Sequence, residues 1–354
     1  MKEFLKNKRI PLIISLSITL ILTILSVVKI NYDITSAGYI NKVESVIEIE
    51  DSYLQKGSFN TTSVFVNERC TIMQYLLASM SKTSIIDPTS EIVSSSDIRN
   101  SKSGVIQKNV SITNAIICAY EACGMIIDYQ YNGVIVHTLY SYGTLDLEAG
   151  DIISKVDGIG FSNQDEFLTL YNQARMDSKY FNKELGICSI PVTVNGVDKL
   201  ITSTAVKYDS NNNPYPVFGF EYYDFYTIVE NSTYPKYTLN EAKTTGPSGG
   251  LMQTLAVYNA LTEFDYTYGL TIAGTGTIEV DGTVGAIGGM YSKIFTAYYS
   301  GVDIFFVPYF ETGTNSNYKD AIKAYEDLGS PEEFIIVPVS NFSDAISFLE
   351  SYGG

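Results

Sequence analysis

Two short strings in the last third of the chain hold residue types suited to hydrolytic chemistry. They are Thr244-Thr245-Gly246-Pro247-Ser248-Gly249-Gly250 and Gly288-Gly289-Met290-Tyr291-Ser292-Lys293. The first sets a serine in a Gly/Pro turn, and the second sets a lysine at the start of a helix. The 354-residue chain has one histidine, His137, far upstream in a strand-like run. A serine nucleophile here needs another base, and lysine is the candidate. An ordinary lysine has a pKa of about 10.4, so it must be desolvated to about 7–8 to take a proton from serine. A displacement of roughly 3 pH units corresponds to about 4 kcal/mol of local environment. The glycine and aliphatic residues around Ser248 and Lys293 suit such a pocket. Gly246, Pro247 and Gly249 shape the turn, and backbone N–H groups there, at the start of a helix, are candidate oxyanion donors.

These residues require an α/β frame. The pattern predicts a strand near Tyr222–Val229, the Ser248 turn, and a helix over 249–264. A hairpin of Leu270–Val280 and Thr283–Ile287, joined at Asp281-Gly282, leads into the Lys293 helix. A buried strand (Ile304–Pro308), a helix (Tyr318–Leu328), a strand (Phe334–Val339) and a closing helix complete it. Before this, residues 126–207 read as short strands around one helix, Asp165–Ala174, with Gly133–Val136 a strand and Asn195-Gly196 a hairpin turn. Residues 208–230 read as a linker or as the first strands of the last domain. Further upstream, Val43–Glu50 alternates as a half-buried strand, paired through Gln55-Lys56-Gly57 with Ser58–Val66. Helices follow from about 68 to 125, Ile112–Ala122 the clearest, with Gly124 as its stop. This region reads as a structural spacer.

The N-terminus is of another kind. Ile10–Val28 is uncharged, preceded by Lys2, Lys6, Lys8 and Arg9 and followed by Lys29. As a helix it spans about 28 Å, close to the roughly 30 Å hydrocarbon core of a bilayer. The basic flank puts the N-terminus in the cytoplasm and the rest of the chain outside, a single-pass membrane protein. A cleaved signal peptide is the rival reading, with Ser36-Ala37-Gly38 a weak cleavage string. The formal charge of −16 argues against a nucleic-acid partner, because no basic stripe is present to neutralise phosphates. Cys70, Cys118, Cys123 and Cys188 are too irregular for a metal site and read as buried thiols, with a Cys70 bridge open in an oxidising exterior. No metal or cofactor is expected.

The string Gly246-Pro247-Ser248-Gly249-Gly250 resembles the G-P-S-A-G serine motif of Lon proteases, with Gly249 in place of alanine. Thr275 to Lys293 aligns without gaps to that family's hairpin-to-lysine segment, and Ile294–Pro308 to the helix and buried strand after it. Upstream, Leu147–Gly158 carries an L-x-x-G-D-x-I-x-x-V-D-G string similar to PDZ domains of bacterial membrane proteases. The implied architecture is an α/β (α+β) Lon-type proteolytic domain behind a small PDZ-like β-rich domain and a transmembrane helix. In residues, that is a basic tail at 1–9, an anchor at 10–30, the spacer at 31–125, the PDZ-like domain at 126–207 and the Lon-like domain at 208–354. The resemblance implies Ser248 as nucleophile, Lys293 as general base, and Thr275 hydrogen-bonded to the lysine. Thr245 stands where Lon proteases often carry an acid, so that carboxylate's role is absent. No G-x-x-x-x-G-K-[ST] phosphate loop is present, so ATP is not expected as a partner. The expected activity is an ATP-independent serine endopeptidase taking unfolded or PDZ-presented protein segments. A catalytically silent peptide-binding scaffold and a self-processing protein that releases its own ectodomain are the alternatives. A homo-oligomer is implied by the resemblance alone.

Overall fold

Helix α1 (Arg9–Val27) leads, in a computed structural model that describes residues 9–89, 97–140, 142–241, 244–311 and 315–353, into β1 (Tyr32–Lys42), β2 (Ile47–Ile49) and β3 (Ser58–Asn67). Next come α2 (Ile72–Ser79), β4 (Ser84–Pro88) and the long α3 (Asp97–Ala122). A middle group follows: β5 (Tyr129–Leu139), β6 (Ile152–Val156), β7 (Ile159–Gly160), α4 (Gln164–Met176), β8 (Phe181–Asn182), β9 (Ile187–Val194), β10 (Val197–Ser203), β11 (Val206–Tyr208), β12 (Pro214–Pro216) and β13 (Phe220–Ile228). The last group is β14 (Tyr237–Leu239), α5 (Gly250–Leu261), β15 (Thr271–Gly274), β16 (Thr277–Ile278), β17 (Val284–Gly285), α6 (Met290–Tyr299), β18 (Ile304–Pro308), α7 (Ser316–Asp327), β19 (Ile335–Val339) and α8 (Phe342–Tyr352).

The main sheet has the order β19-β18-β15-β3-β1-β4, parallel from β19 to β3 and antiparallel through β1 and β4. Its central strands are apolar on both faces because helices cover both, as parallel sheets require. Ile272, Ile304 and Phe306 face one layer with residues of α3, α5 and α8. Ala273, Phe305 and Val307 alternate to the other, with residues of α6 and α7. The second sheet has the order β10-β9-β6-β5-β13, with β7 and β8 attached. Phe167 of α4 closes its separate core over Val134, Val136, Ile153, Ile190 and Phe218.

Several expectations need correcting. Residues 31–125 are not a spacer, since β1, β3 and β4 lie in the main sheet and α3 packs along α5. Val43–Glu50 and Ser58–Val66 do not form a hairpin. A 3₁₀ turn at Val43–Ser45 breaks the first run, and Ile47 and Ile49 are buried through pairing of β2 with β14. The strand β4 falls in a stretch read as helical. β13, placed by sequence at the head of the last domain, instead pairs along its whole length with β5. The predicted hairpin after Leu270 divides, because β15 joins the main sheet and only β16 and β17 pair with each other.

Other expectations agree with the structure. α3 ends in a Schellman arrangement, with Gly124 at φ +65, its amide on Glu121 and the Met125 amide on Tyr120. All four cysteines are free, and burial pushes the Cys118 and Cys123 thiols up to about 12. Within α1, Ile10–Val27 is long and apolar enough to cross a bilayer and is exposed throughout.

Candidate active site

The nucleophile turn is held from three sides. Gly246 sits at φ +88, in the left-handed region that glycine occupies without strain, and its amide donates to the Gly104 carbonyl of α3 at 2.9 Å. Ser111, one helical stretch further along α3, donates its hydroxyl to the Pro247 carbonyl at 2.8 Å. The Ser248 carbonyl accepts from the Gly276 amide at 2.9 Å and from the Thr275 hydroxyl at 3.0 Å. α5 then starts at Gly250, with Gly249 as its N-cap. A Cβ at Gly250 would lie 2.7 Å from Ser111 Oγ and 2.8 Å from the Ile278 backbone nitrogen, so this position has no room for any other residue. Among the described residues the Ser248 and Gly249 amides have no intramolecular acceptor. Both are close to the positive end of α5.

Lys293 enters from the first turn of α6, which begins after Gly289 at φ +71. Ser292 donates to the carbonyls of Thr35 and Thr83, both at 3.2 Å, and Thr296 accepts from the Gly38 amide at 2.9 Å. These contacts pin α6 against the β1 side of the sheet and aim the lysine inward. Its Nζ lies 2.8 Å from Ser248 Oγ and 2.8 Å from Thr275 Oγ1. Lys293 is 2% exposed and forms no ion pair among the described residues. Burial without a counter-charge disfavours the ammonium and pulls its pKa from 10.5 down to about 7.

The proton positions follow from these partners. Thr275 has one hydroxyl hydrogen, and the Ser248 carbonyl takes it. Its oxygen must therefore accept from Lys293. A neutral lysine giving one hydrogen to Thr275 directs its lone pair at Ser248 Oγ. Thr275 is buried, as a group that orients a base must be.

A groove of about 600 Å³ lies over Ser248 and Lys293. One side is the β3 edge from Thr61 to Val66, and the other includes Ala286, Ile287 and Gly288. Tyr223 of β13 also borders it, so the second sheet contributes to the groove wall. Gln253 of α5 lines the same groove, 8% exposed, with its carboxamide oxygen unpartnered. His137 lies behind Tyr223, ring stacked on ring at 4.3 Å, and burial lowers its pKa to about 4.

Ser248, Lys293, Thr275, Gly246, Pro247 and Gly249 thus lie together as the sequence placed them. Gly104, Ser111 and Asn114 of α3 escaped the sequence reading, although Asn114 Nδ2 donates to the Ile278 carbonyl at 3.0 Å. A signal was available. Ser111 and Asn114 are polar, three apart on one helix face, inside an otherwise apolar stripe.

Residues 240–330 match the family described as the Lon protease (S16) C-terminal proteolytic domain. The chain is also similar to the Lon protease of Aster yellows witches'-broom phytoplasma (strain AYWB), 32% identical over 128 residues. That stretch is 35% of this chain and 13% of the phytoplasma protein, so the chain matches only a small part of its relative.

Proposed function

We propose that the Lon-type proteolytic domain carried by this chain is an ATP-independent serine endopeptidase working through a Ser248–Lys293 dyad. What carries the reading is a single arrangement, in which a buried, unpaired lysine touches both Ser248 Oγ and Thr275 Oγ1 at 2.8 Å. Neutral Lys293 takes the Ser248 proton as Oγ attacks a peptide carbonyl. The tetrahedral oxyanion accepts from the Ser248 and Gly249 amides at the head of α5. The lysine ammonium then passes its proton to the leaving amine, and the C–N bond breaks to leave an acyl-enzyme. Water, deprotonated by the same lysine, attacks the ester and releases the second product and the serine hydroxyl. Thr275 holds the lysine's lone pair on the serine throughout.

The groove is open and lined by strand edge, which suits an extended, unfolded segment. Residues 126–228 are read as a PDZ-like module that presents such segments, and Tyr223 on β13 links that sheet to the groove. α1 is read as a single-pass anchor with its basic end in the cytoplasm and the catalytic domain outside. Cleavage of unfolded casein by the purified full chain, compared with Ser248→Ala and Lys293→Ala, tests the activity. Equal background cleavage by all three would refute it.

A further inference from the structure

Helix α2 presents an apolar face to the outside. Tyr75 and Ala78 pack inward with Ile34, Cys70 and Ile86. Met73, Leu76, Leu77 and Met80 fall at i, i+3, i+4 and i+7, which is one stripe of a helix. In that stripe Leu76 is 47%, Leu77 62% and Met80 84% exposed. Just before the turn into α2, Phe65 and Val66 at the end of β3 are exposed as well. A soluble surface helix places polar residues at such positions.

The backbone shows what lies against this face. The Ile72 amide, first in α2, donates to the Val28 carbonyl at 3.1 Å, and the Ile30 amide donates to the Cys70 carbonyl at 2.9 Å. Lys29 and Thr71 form a bridge, and α2 packs beside α1. Val28 is itself bonded back to Ile24 of α1. α2 is therefore tied to the last turn of the apolar helix rather than joined to it by a slack linker. Eight residues of helix are about 12 Å long, so all of α2 lies within about that distance of the end of α1. Amphipathic helices settle about 5–10 Å into the headgroup–acyl boundary, at the same depth. Tyr32 and Tyr75, edge to face at 5.2 Å, stand where interfacial aromatic residues collect, and exposed Lys29 suits the headgroup layer.

We propose that the outer face of α2 is embedded in the lipid surface beside the exit of α1, so that the bilayer is the partner of this face. The proposal rests on α1 being a bilayer span. It extends that reading by fixing how the catalytic domain stands on the membrane. Phe65 and Val66 border the catalytic groove, so its mouth opens along the lipid surface, toward chains that are themselves membrane-tethered.

The test uses the full chain reconstituted in phosphatidylcholine vesicles, with an environment-sensitive fluorophore on Leu77→Cys or Met80→Cys. Leu185→Cys, in a turn of the second domain and 70% exposed, is the aqueous control, and Leu20→Cys reports on the span. Lipids carrying a nitroxide near the headgroup should quench the labels at 77 and 80 severalfold more than the label at 185. Lipids with a deep nitroxide should quench the label at 20. Quenching at 20 with positions 77 and 80 no different from 185 overturns the proposal and leaves the anchor standing. No quenching at 20 removes the anchor and the proposal together. A blue-shifted but unquenched label at 77 or 80 assigns the face to a protein partner or a second copy, and also overturns it.

Discussion

Replacing Lys293 by methionine should abolish activity and make the protein more stable. Burial lowers the lysine's pKa from 10.5 to about 7. At about 1.4 kcal/mol per pH unit, that gap corresponds to about 5 kcal/mol of folding free energy. The sign follows from proton binding. Between the two values the unfolded chain holds the proton and the folded chain does not, so stability rises with pH through this window. The full penalty applies below about pH 7 and is gone above about 10.5. Methionine fills a similar volume without the charge, but it leaves the Ser248 and Thr275 hydroxyls each one partner short, at about 1 kcal/mol apiece. The net expectation is a gain of about 3 kcal/mol at pH 6.5 that shrinks as pH rises and reverses by pH 10.5. Glu279, raised to about 7 chiefly by burial with Asp224 and Asp281 adding, titrates in the same range, but it is present in both proteins and cancels. With no tryptophan in the chain, urea unfolding is best followed by far-UV circular dichroism. At a slope of about 3 kcal/mol per molar, the midpoint at pH 6.5 should move up by about 1 M. A variant less stable than wild type at pH 6.5, or a stability difference that ignores pH, would refute the buried neutral lysine.

Activity should track the same proton. With a short peptide amide, kcat/KM should rise about tenfold per pH unit below pH 7 and level off above it, and a flat profile from pH 6 to 9 would exclude lysine as the base. Thr275→Val removes the group that directs the lysine lone pair, so kcat should fall about 10- to 100-fold with KM little changed, while Thr275→Ser keeps most of the activity. Gly250→Ala places a methyl against Ser111 Oγ and the Ile278 nitrogen, and should lose about 1–3 kcal/mol of stability in thermal unfolding together with most of the cleavage rate.

The reacting groups were readable because their chemistry lies in local strings. A left-handed glycine before Pro-Ser, a Gly-Gly pair ahead of the lysine and an Asp-Gly turn between them each determine the backbone next to a functional atom. The supporting groups were not readable in that way. Ser111 meets Pro247 across 136 positions, and nothing local distinguishes it from a serine facing solvent. Strand partners were hidden for the same reason. Alternation in Ile47–Ile49 and Phe220–Ile228 says that one face is buried, but it does not say against which sheet. β13 shows the difficulty most clearly. Phe220 and Tyr222 pack into the second core while Tyr223 borders the groove, so both faces carry aromatic residues and neither marks a domain boundary.

The parallel pairing of β3 with β15 sets a timetable for biosynthesis. Thr62 and the Gly274 carbonyl it bonds are 212 positions apart, and at about 5–20 residues per second a ribosome needs about 10–40 s to supply the second after the first. The second sheet, complete by β13, can fold in that interval, whereas the main sheet still lacks β15, β18 and β19. Until those strands arrive Lys293 has no buried pocket, keeps its proton, and leaves Ser248 an ordinary alcohol. The nascent chain therefore passes its synthesis and export machinery unarmed, and becomes a hydrolase only when its two ends meet in one sheet.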